Sequence, residues 1–335
     1  KIFMNLKERI SLFSSLGEFI SESPDVLDEV ISQAILLNPW FTQKHIKTSL
    51  LSIAQMLEKE KLENWISNYN LKHVKEKKVL LIMAGNIPMV GFHDLLCVLV
   101  SGHSAIIKFS SKDKILMKFL INKLISICPD INNKINIVDD FVKCQFDALI
   151  ATGSDSSSKY FNYYFKDYKS IIRKNRRSIA VLDGSETAQD LINLSNDIFL
   201  YFGLGCRNVS KLYLPNGYDL NNLFNAFYDY NDIINHLKYS NNYDYNKTVY
   251  LMNRENILDN GFVLLKEDIS IQSPVATVFY EFYSNKIDLE NFIKENNSLF
   301  QCVVGKDNIS FGQTQFPNLD SYADQVDTIN FLKSI

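Results

Sequence analysis

The sequence predicts an α/β protein built on a parallel sheet. Short apolar segments alternate with runs at helical spacing: Val79–Met83, Leu95–Val100, Ala105–Lys108, Ile115–Ile127, Ile135–Val138 and Ala148–Ala151. Such strand–helix alternation is the signature of βαβ units. The 335 residues suffice for two lobes. Hydrophobic residues at 46% against charged residues at 22% can fill at least one large core.

Taken in order, residues 1–78 read as a helical segment. Leu27, Val30, Ile31, Ala34 and Ile35 share a helical face, and so do Leu50, Ile53, Ala54, Leu57 and Leu62. Asn38-Pro39-Trp40-Phe41 separates them, because proline disfavours helix at the residue before it. The alternating pattern begins at Val79 and defines a domain over 79–184, with a boundary near Gly184. Asp190–Leu204 then reads as helix, Val209–Leu214 as strand and Leu223–Leu237 as helix, within a second domain over 185–309. The Tyr- and Asn-rich stretch Tyr228–Asn246 reads as a tolerant surface helix and loop. Residues 310–335 read as a surface tail packing back near the site.

Composition excludes several classes of function. A net charge of −3 argues against nucleic-acid binding through overall charge. No run is long enough to cross a bilayer, and the most apolar, Val79–Phe92, carries Asn86 and Pro88. No basic-then-apolar leader follows Lys1, so a cytoplasmic protein is expected. Five scattered cysteines without CxxC spacing fit a reducing compartment and no bound metal.

Several short segments can carry chemistry. Asn86 follows an apolar strand in Ala84-Gly85-Asn86-Ile87-Pro88, where its NH₂ can donate to an oxyanion or where it is simply a turn residue. Lys108 ends a strand ahead of Ser110 and Ser111, placed to hold a ribose or phosphate, or to lie over apolar neighbours as a surface lysine. Thr152-Gly153-Ser154-Asp155 has the small residues that let backbone amides reach a phosphate at a helix start, and Ser154 and Asp155 equally suit N-caps. No GxGxxG is present at this turn. Cys206 alone among the cysteines follows closely spaced glycines, in Gly203-Leu204-Gly205-Cys206-Arg207-Asn208, and an approaching Arg207 would favour its thiolate. His93 and His103 read as structural. The basic run Arg173–Arg177 reads as a solvated face, with a cofactor phosphate as the alternative.

In this order the segments resemble the aldehyde dehydrogenase superfamily, and more closely its LuxC-type acyl-CoA reductases. The matching stretches are NPWF (38–41), AGNIPMVGFHDLL (84–96), IKFSSKD (107–113), TGSD (152–155), RKNRRSIAVLDG (173–184), GLGCRNVSKLYLP (203–215) and GQTQFPNLDSYADQVDT (312–328). The resemblance implies a Rossmann-like cofactor domain that lacks the GxGxxG loop, joined to an α/β catalytic domain. It implies that Cys206 is the nucleophile that takes the acyl group as a thioester. Asn86 and the Cys206 N–H would hold the oxyanion. Lys108 and Ser110 would hold the adenosine ribose of NADPH, with NADH the alternative, and Thr152, Gly153 and Ser154 the pyrophosphate turn. The implied reaction is reduction of a fatty acyl-CoA or acyl-carrier thioester to an aldehyde. A reductase of another activated acid such as an acyl phosphate, a non-catalytic acyl-binding protein and a homo-oligomer all stay open. Two departures are expected to matter: Val181 stands where the aldehyde-oxidising members carry a water-activating Glu, and Ser270 where they carry the Glu that holds the nicotinamide ribose.

Overall fold

The N-terminal helices form where apolar residues recur on one face. In this computed structural model, residues 4–22, 24–71, 74–153, 155–174 and 176–335 are described. α1 (Leu6–Glu22) turns Phe13, Leu16, Gly17 and Ile20 inward, and α2 (Pro24–Leu37), α3 (Gln43–Met56) and α4 (Lys59–Ser67) follow. The chain breaks between α2 and α3 at Asn38-Pro39, as the proline requires. Thr42 then caps α3 by accepting the His45 N–H at 3.1 Å.

The chain divides into two compact units, Lys1–Asn175 with Pro317–Ile335, and Arg176–Phe316. In the first, β1 (Lys78–Ile82), α5 (Phe92–Val100), β2 (Ser104–Lys108), α6 (Lys114–Ile127), β3 (Ile135–Ile137), β4 (Ala148–Thr152), α7 (Asp155–Tyr164) and β5 (Lys169–Arg173) alternate as the sequence predicts. The sheet order is β3-β2-β1-β4-β5 and every pairing is parallel. Side chains alternate across it. Val79, Leu81, Ala105 and Ile107 enter a core shared with α1, α3, α5 and α6, whereas Leu80, Ile106 and Leu149 pack against Phe161 and Phe165. Strand order reverses between β1 and β4, and α/β sheets bind ligands outside the carboxyl ends of the strands at such a switch point.

The second unit holds β6 (Arg177–Val181), α8 (Ala188–Phe199), β7 (Val209–Pro215), α9 (Asn221–Phe227), α10 (Leu237–Met252), β8 (Leu258–Asp259), β9 (Leu264–Glu267), β10 (Thr277–Tyr283), α11 (Lys286–Glu295) and β11 (Phe300–Val304). Its sheet runs β11-β6-β7-β10-β9-β8, parallel except for the β8–β9 pair.

Three expectations change. The strand Arg177–Val181 pairs with β7 and β11, so the second unit begins at Arg176 rather than near Gly184. The final residues are not one surface tail. Those up to Phe316 belong with the second unit, and those beyond it with the first, where Tyr322, Ile329 and Leu332 are buried. The Tyr- and Asn-rich stretch is not a tolerant surface, because α10 buries Tyr239, Tyr243, Asn246 and Tyr250 at helical spacing.

Candidate active site

In the first unit, the chain leaving β1 makes a turn held from several directions. Asn38, itself buried, donates from Nδ2 to the Gly85 carbonyl at 3.4 Å and accepts the Trp40 N–H at 3.1 Å. Ser49 Oγ donates to the Pro88 carbonyl at 2.9 Å, and the Met89 N–H donates to Asp113 Oδ2 at 2.6 Å. Met89 is left-handed, with φ 55°. Gly85 is required by close approach, because a Cβ there would lie 2.6 Å from Ser110 Oγ. Gly85, Pro88 and Met89 are thereby buried, and Asn86 stays exposed on the turn.

The neighbouring strand ends carry the other predicted residues of this unit. Lys108 closes β2, half-buried, with Nζ donating to the Phe109 carbonyl at 3.3 Å. Ser110 Oγ accepts the Lys112 N–H at 3.3 Å and backs the Gly85 turn. Thr152 ends β4, and at Gly153 a Cβ would meet the Ser157 Cβ at 2.8 Å, so only glycine lets α7 approach this closely. Ser154 lies outside the described residues. Asn86, Lys108, Ser110, Thr152 and Gly153 therefore gather at the carboxyl ends of β1, β2 and β4, beside the switch point. A strand–turn–helix with its glycine pressed against the helix suits the phosphates of a dinucleotide.

In the second unit, Cys206 sits half-buried on the loop entering β7. Asn208, 2% exposed, knits this loop. Its Nδ2 donates to the carbonyls of Asp197, Ile198 and Leu200 at 3.1, 3.4 and 2.7 Å, satisfying acceptors that the end of α8 leaves over. Its Oδ1 accepts the Gly205 N–H at 2.9 Å. Tyr201 and Phe202 are left-handed, with φ 55° and 58°. Ser178 Oγ donates to the Cys206 carbonyl at 2.9 Å and accepts the Cys302 N–H at 3.1 Å. Arg207 places Nη1 3.4 Å from the Cys302 sulfur. Asp197 is buried, and its carboxylate accepts from the Gly312 N–H and from the N–H and hydroxyl of Thr314, which explains GQTQ at 312–315. Burial raises the pKa of this carboxyl.

Val181 does not stand where the sequence suggested. Ser178, at the start of β6, touches Cys206, but Val181 ends the strand about 10 Å further along. There Val181 pairs in register with Tyr213 and lines a cleft of about 350 Å³ with Asp183, Lys286 and Lys306. Asp183 and Glu186 share that far end, Glu186 accepting the N–H groups of Asp183 and Gly184. Ser270–Pro274, in contrast, approaches the loop's end of the sheet. Ser210 Oγ donates to the Ile271 carbonyl at 2.8 Å, and Ser273 and Pro274 share a cavity of about 30 Å³ with Gly203 and Gly205.

The basic run is also not a uniformly solvated face. Arg173 is buried, gripping Asp94 through both terminal nitrogens (Nη2 to Oδ1 at 2.7 Å) and reaching Thr328. His93 and His103 both meet backbone groups. His93 meets the Leu319 carbonyl at 2.9 Å. His103 accepts the Lys77 N–H at Nδ1 and meets the Leu332 carbonyl at 3.0 Å from Nε2. Burial holds the His103 pKa down. Among the described residues, no group of three or more His, Cys, Asp and Glu could hold a metal ion, and no helix is long and apolar enough to cross a membrane.

Asn38, Ser49, Asp113, Ser178 and Asn208 have no role legible from residue type and spacing. All but Ser49 lie inside the quoted motifs, so that membership was the available signal. Their partners are set by tertiary contacts that spacing does not reveal.

Comparison with known proteins agrees with this fold. Among solved structures, aldehyde dehydrogenase 21 from Physcomitrella patens superposes with a TM-score of 0.72 at 13% identity, covering 99% of this chain and 84% of that one. A Mycobacterium tuberculosis aldehyde dehydrogenase complexed with NAD+ gives 0.62 at 10% identity, covering 85% and 70%. Long-chain acyl-protein thioester reductase 2 of Photobacterium leiognathi is 22% identical over 169 residues, 45% of this chain and about a third (35%) of that relative. The family acyl-CoA reductase (LuxC) matches residues 35–223, a span that contains Asn86, Lys108 and Cys206. This chain belongs to the LuxC acyl-CoA reductase family.

Proposed function

We propose that this protein reduces a fatty acyl thioester, carried by CoA or by an acyl carrier, to a fatty aldehyde with NADPH. The observation that carries the reading is Cys206 on a loop fixed by Asn208 at the amino end of β7, in a chain of this family. The Cys206 thiolate attacks the thioester carbonyl and expels the carrier thiol, leaving the acyl group on sulfur. Asn86 donates from its side-chain NH₂ to the oxyanion of each tetrahedral intermediate, a contribution of about 3–4 kcal/mol for one such donor. When bound, the nicotinamide supplies a hydride to the carbonyl carbon of the acyl-thioester. The thiohemiacetal oxyanion collapses, releasing aldehyde and returning the Cys206 thiolate. Lys108 and Ser110 hold the adenosine ribose, and Thr152 to Ser154 the pyrophosphate.

The acyl-enzyme is long-lived without reductant. A general base for water is worth about 10²–10⁴-fold. Asp183 and Glu186 lie at the far end of β6 from Cys206, and the carboxylate of Asp197 is committed to Gly312 and Thr314. The test is aldehyde formation from long-chain acyl-CoA and from an acyl phosphate, each with NADPH and with NADH. Aldehyde from acyl-CoA with NADPH supports the reading. Turnover of the acyl phosphate alone would replace the substrate class, and turnover only with NADH the cofactor.

A further inference from the structure

The turn that bears Asn86 contains a residue in an unfavourable conformation. Met89 is left-handed, a geometry that side chains with a Cβ resist and keep only where surrounding contacts hold it. The contact on its N–H is Asp113, at 2.6 Å. Asp113 stands just before α6, where an aspartate ordinarily bonds an amide of its own first helical turn, and its side chain makes no such bond. It is 3% exposed, and among the described residues its Oδ1 has no hydrogen-bond partner. A carboxyl kept dry with one oxygen unmet is costly, and an apolar residue would avoid the cost. The same loop also presses on the other flank of Asn86, because Ser110 packs where a Cβ of Gly85 would be. Gly85 and Met89, either side of Asn86, are both set by the segment Ser110–Asp113.

We propose that Asp113 is a positioning residue that holds Met89 in its left-handed conformation and so sets the presentation of Asn86. The inference rests on the reading of Asn86 as the oxyanion donor. It ties the loop that follows Lys108 to the turn that stabilises the intermediate, without Asp113 touching substrate.

The test is acylation of Cys206 by a long-chain acyl-CoA, quenched at intervals and read by intact mass, with no nicotinamide present. Asn86→Ala slows acylation by about 10²–10³-fold. Asp113→Ala slows it by about 10²-fold, the cost of a displaced group. The double variant is no slower than Asn86→Ala alone, because both substitutions remove one function. Asp113→Asn retains an oxygen for the Met89 N–H and restores a rate within about threefold of the original protein. Asp113→Thr can cap α6, a bond the aspartate does not make, and this offsets the lost Met89 contact. Its hydroxyl is a bond too short for Met89, so it keeps the melting temperature and loses the rate, which carries the test if Asp113→Ala does not fold. A normal rate in Asp113→Thr, or losses that multiply in the double variant, overturns the inference alone. A normal rate in Asn86→Ala overturns the oxyanion reading and the inference with it.

Discussion

The turn bearing Asn86 and the loop bearing Cys206 solve the same problem with different materials. Both contain left-handed residues with bulky side chains, Met89 in one and Tyr201 and Phe202 in the other. Both are gripped by a buried asparagine and a serine hydroxyl. The Cys206 loop, however, is knitted mainly by Asn208, from within the loop, against the end of the helix that leads into it. The Asn86 turn is assembled from α3, the α2–α3 turn and the start of α6, all distant in sequence. One loop is locally encoded and the other is set by tertiary structure.

The difference predicts unequal costs. Asn208→Ala removes the acceptor of the Gly205 N–H and the donor to the Asp197, Ile198 and Leu200 carbonyls, at about 1–3 kcal/mol for each group stranded. Asn38→Ala releases one grip among several and costs about 1 kcal/mol. Denaturant melts of the two variants check this, and equal losses would break the comparison. Lys108→Ala then raises the KM for the nicotinamide cofactor about tenfold, as loss of a charged contact should. Acylation measured without cofactor is unchanged by it, and an unaltered KM would return Lys108 to the surface.

A smaller effect concerns pH. Burial raises the Asp113 carboxyl well above the ordinary range, so the folded state holds that proton more tightly than the unfolded chain does. The stability this gives is complete below the unfolded value of about 3.9 and is lost as pH rises toward the folded pKa. Asparagine does not titrate. The melting temperature of Asp113→Asn relative to the original protein therefore climbs between pH 4 and pH 8, and a flat difference would contradict the burial argument. The smallest effect expected is none: Val181→Glu, at the far end of β6, leaves hydrolysis of the acyl-enzyme unchanged within about twofold.

Legibility followed the same division. The alternation from β1 to β4 was readable because each element carries its own periodicity, and its strands and helices fall within a few residues of expectation. Cys206 and its glycines stood out for the same local reason. Asn38, Ser49 and Asp113 did not, since an Asn beside a proline or an Asp before a helix looks complete without distant partners. Val181 was misplaced because sequence order does not say which end of a strand meets a loop. Parallel pairing of β6 and β7 decides that, and it sends Ser178 to Cys206 and Val181 away. The buried face of α10 was readable at Tyr239, Tyr243, Asn246 and Tyr250, but the polar composition concealed it.

In the proposed reaction Cys206 carries the acyl group. The most direct test of that role is intact mass and peptide mapping after incubation with acyl-CoAs of several chain lengths in the absence of nicotinamide. The expected result is a single added acyl mass that maps to Cys206, persists far longer than a turnover and is discharged by NADPH as aldehyde. Acylation that survives Cys206→Ala, or aldehyde made by that variant at the original rate, would contradict it.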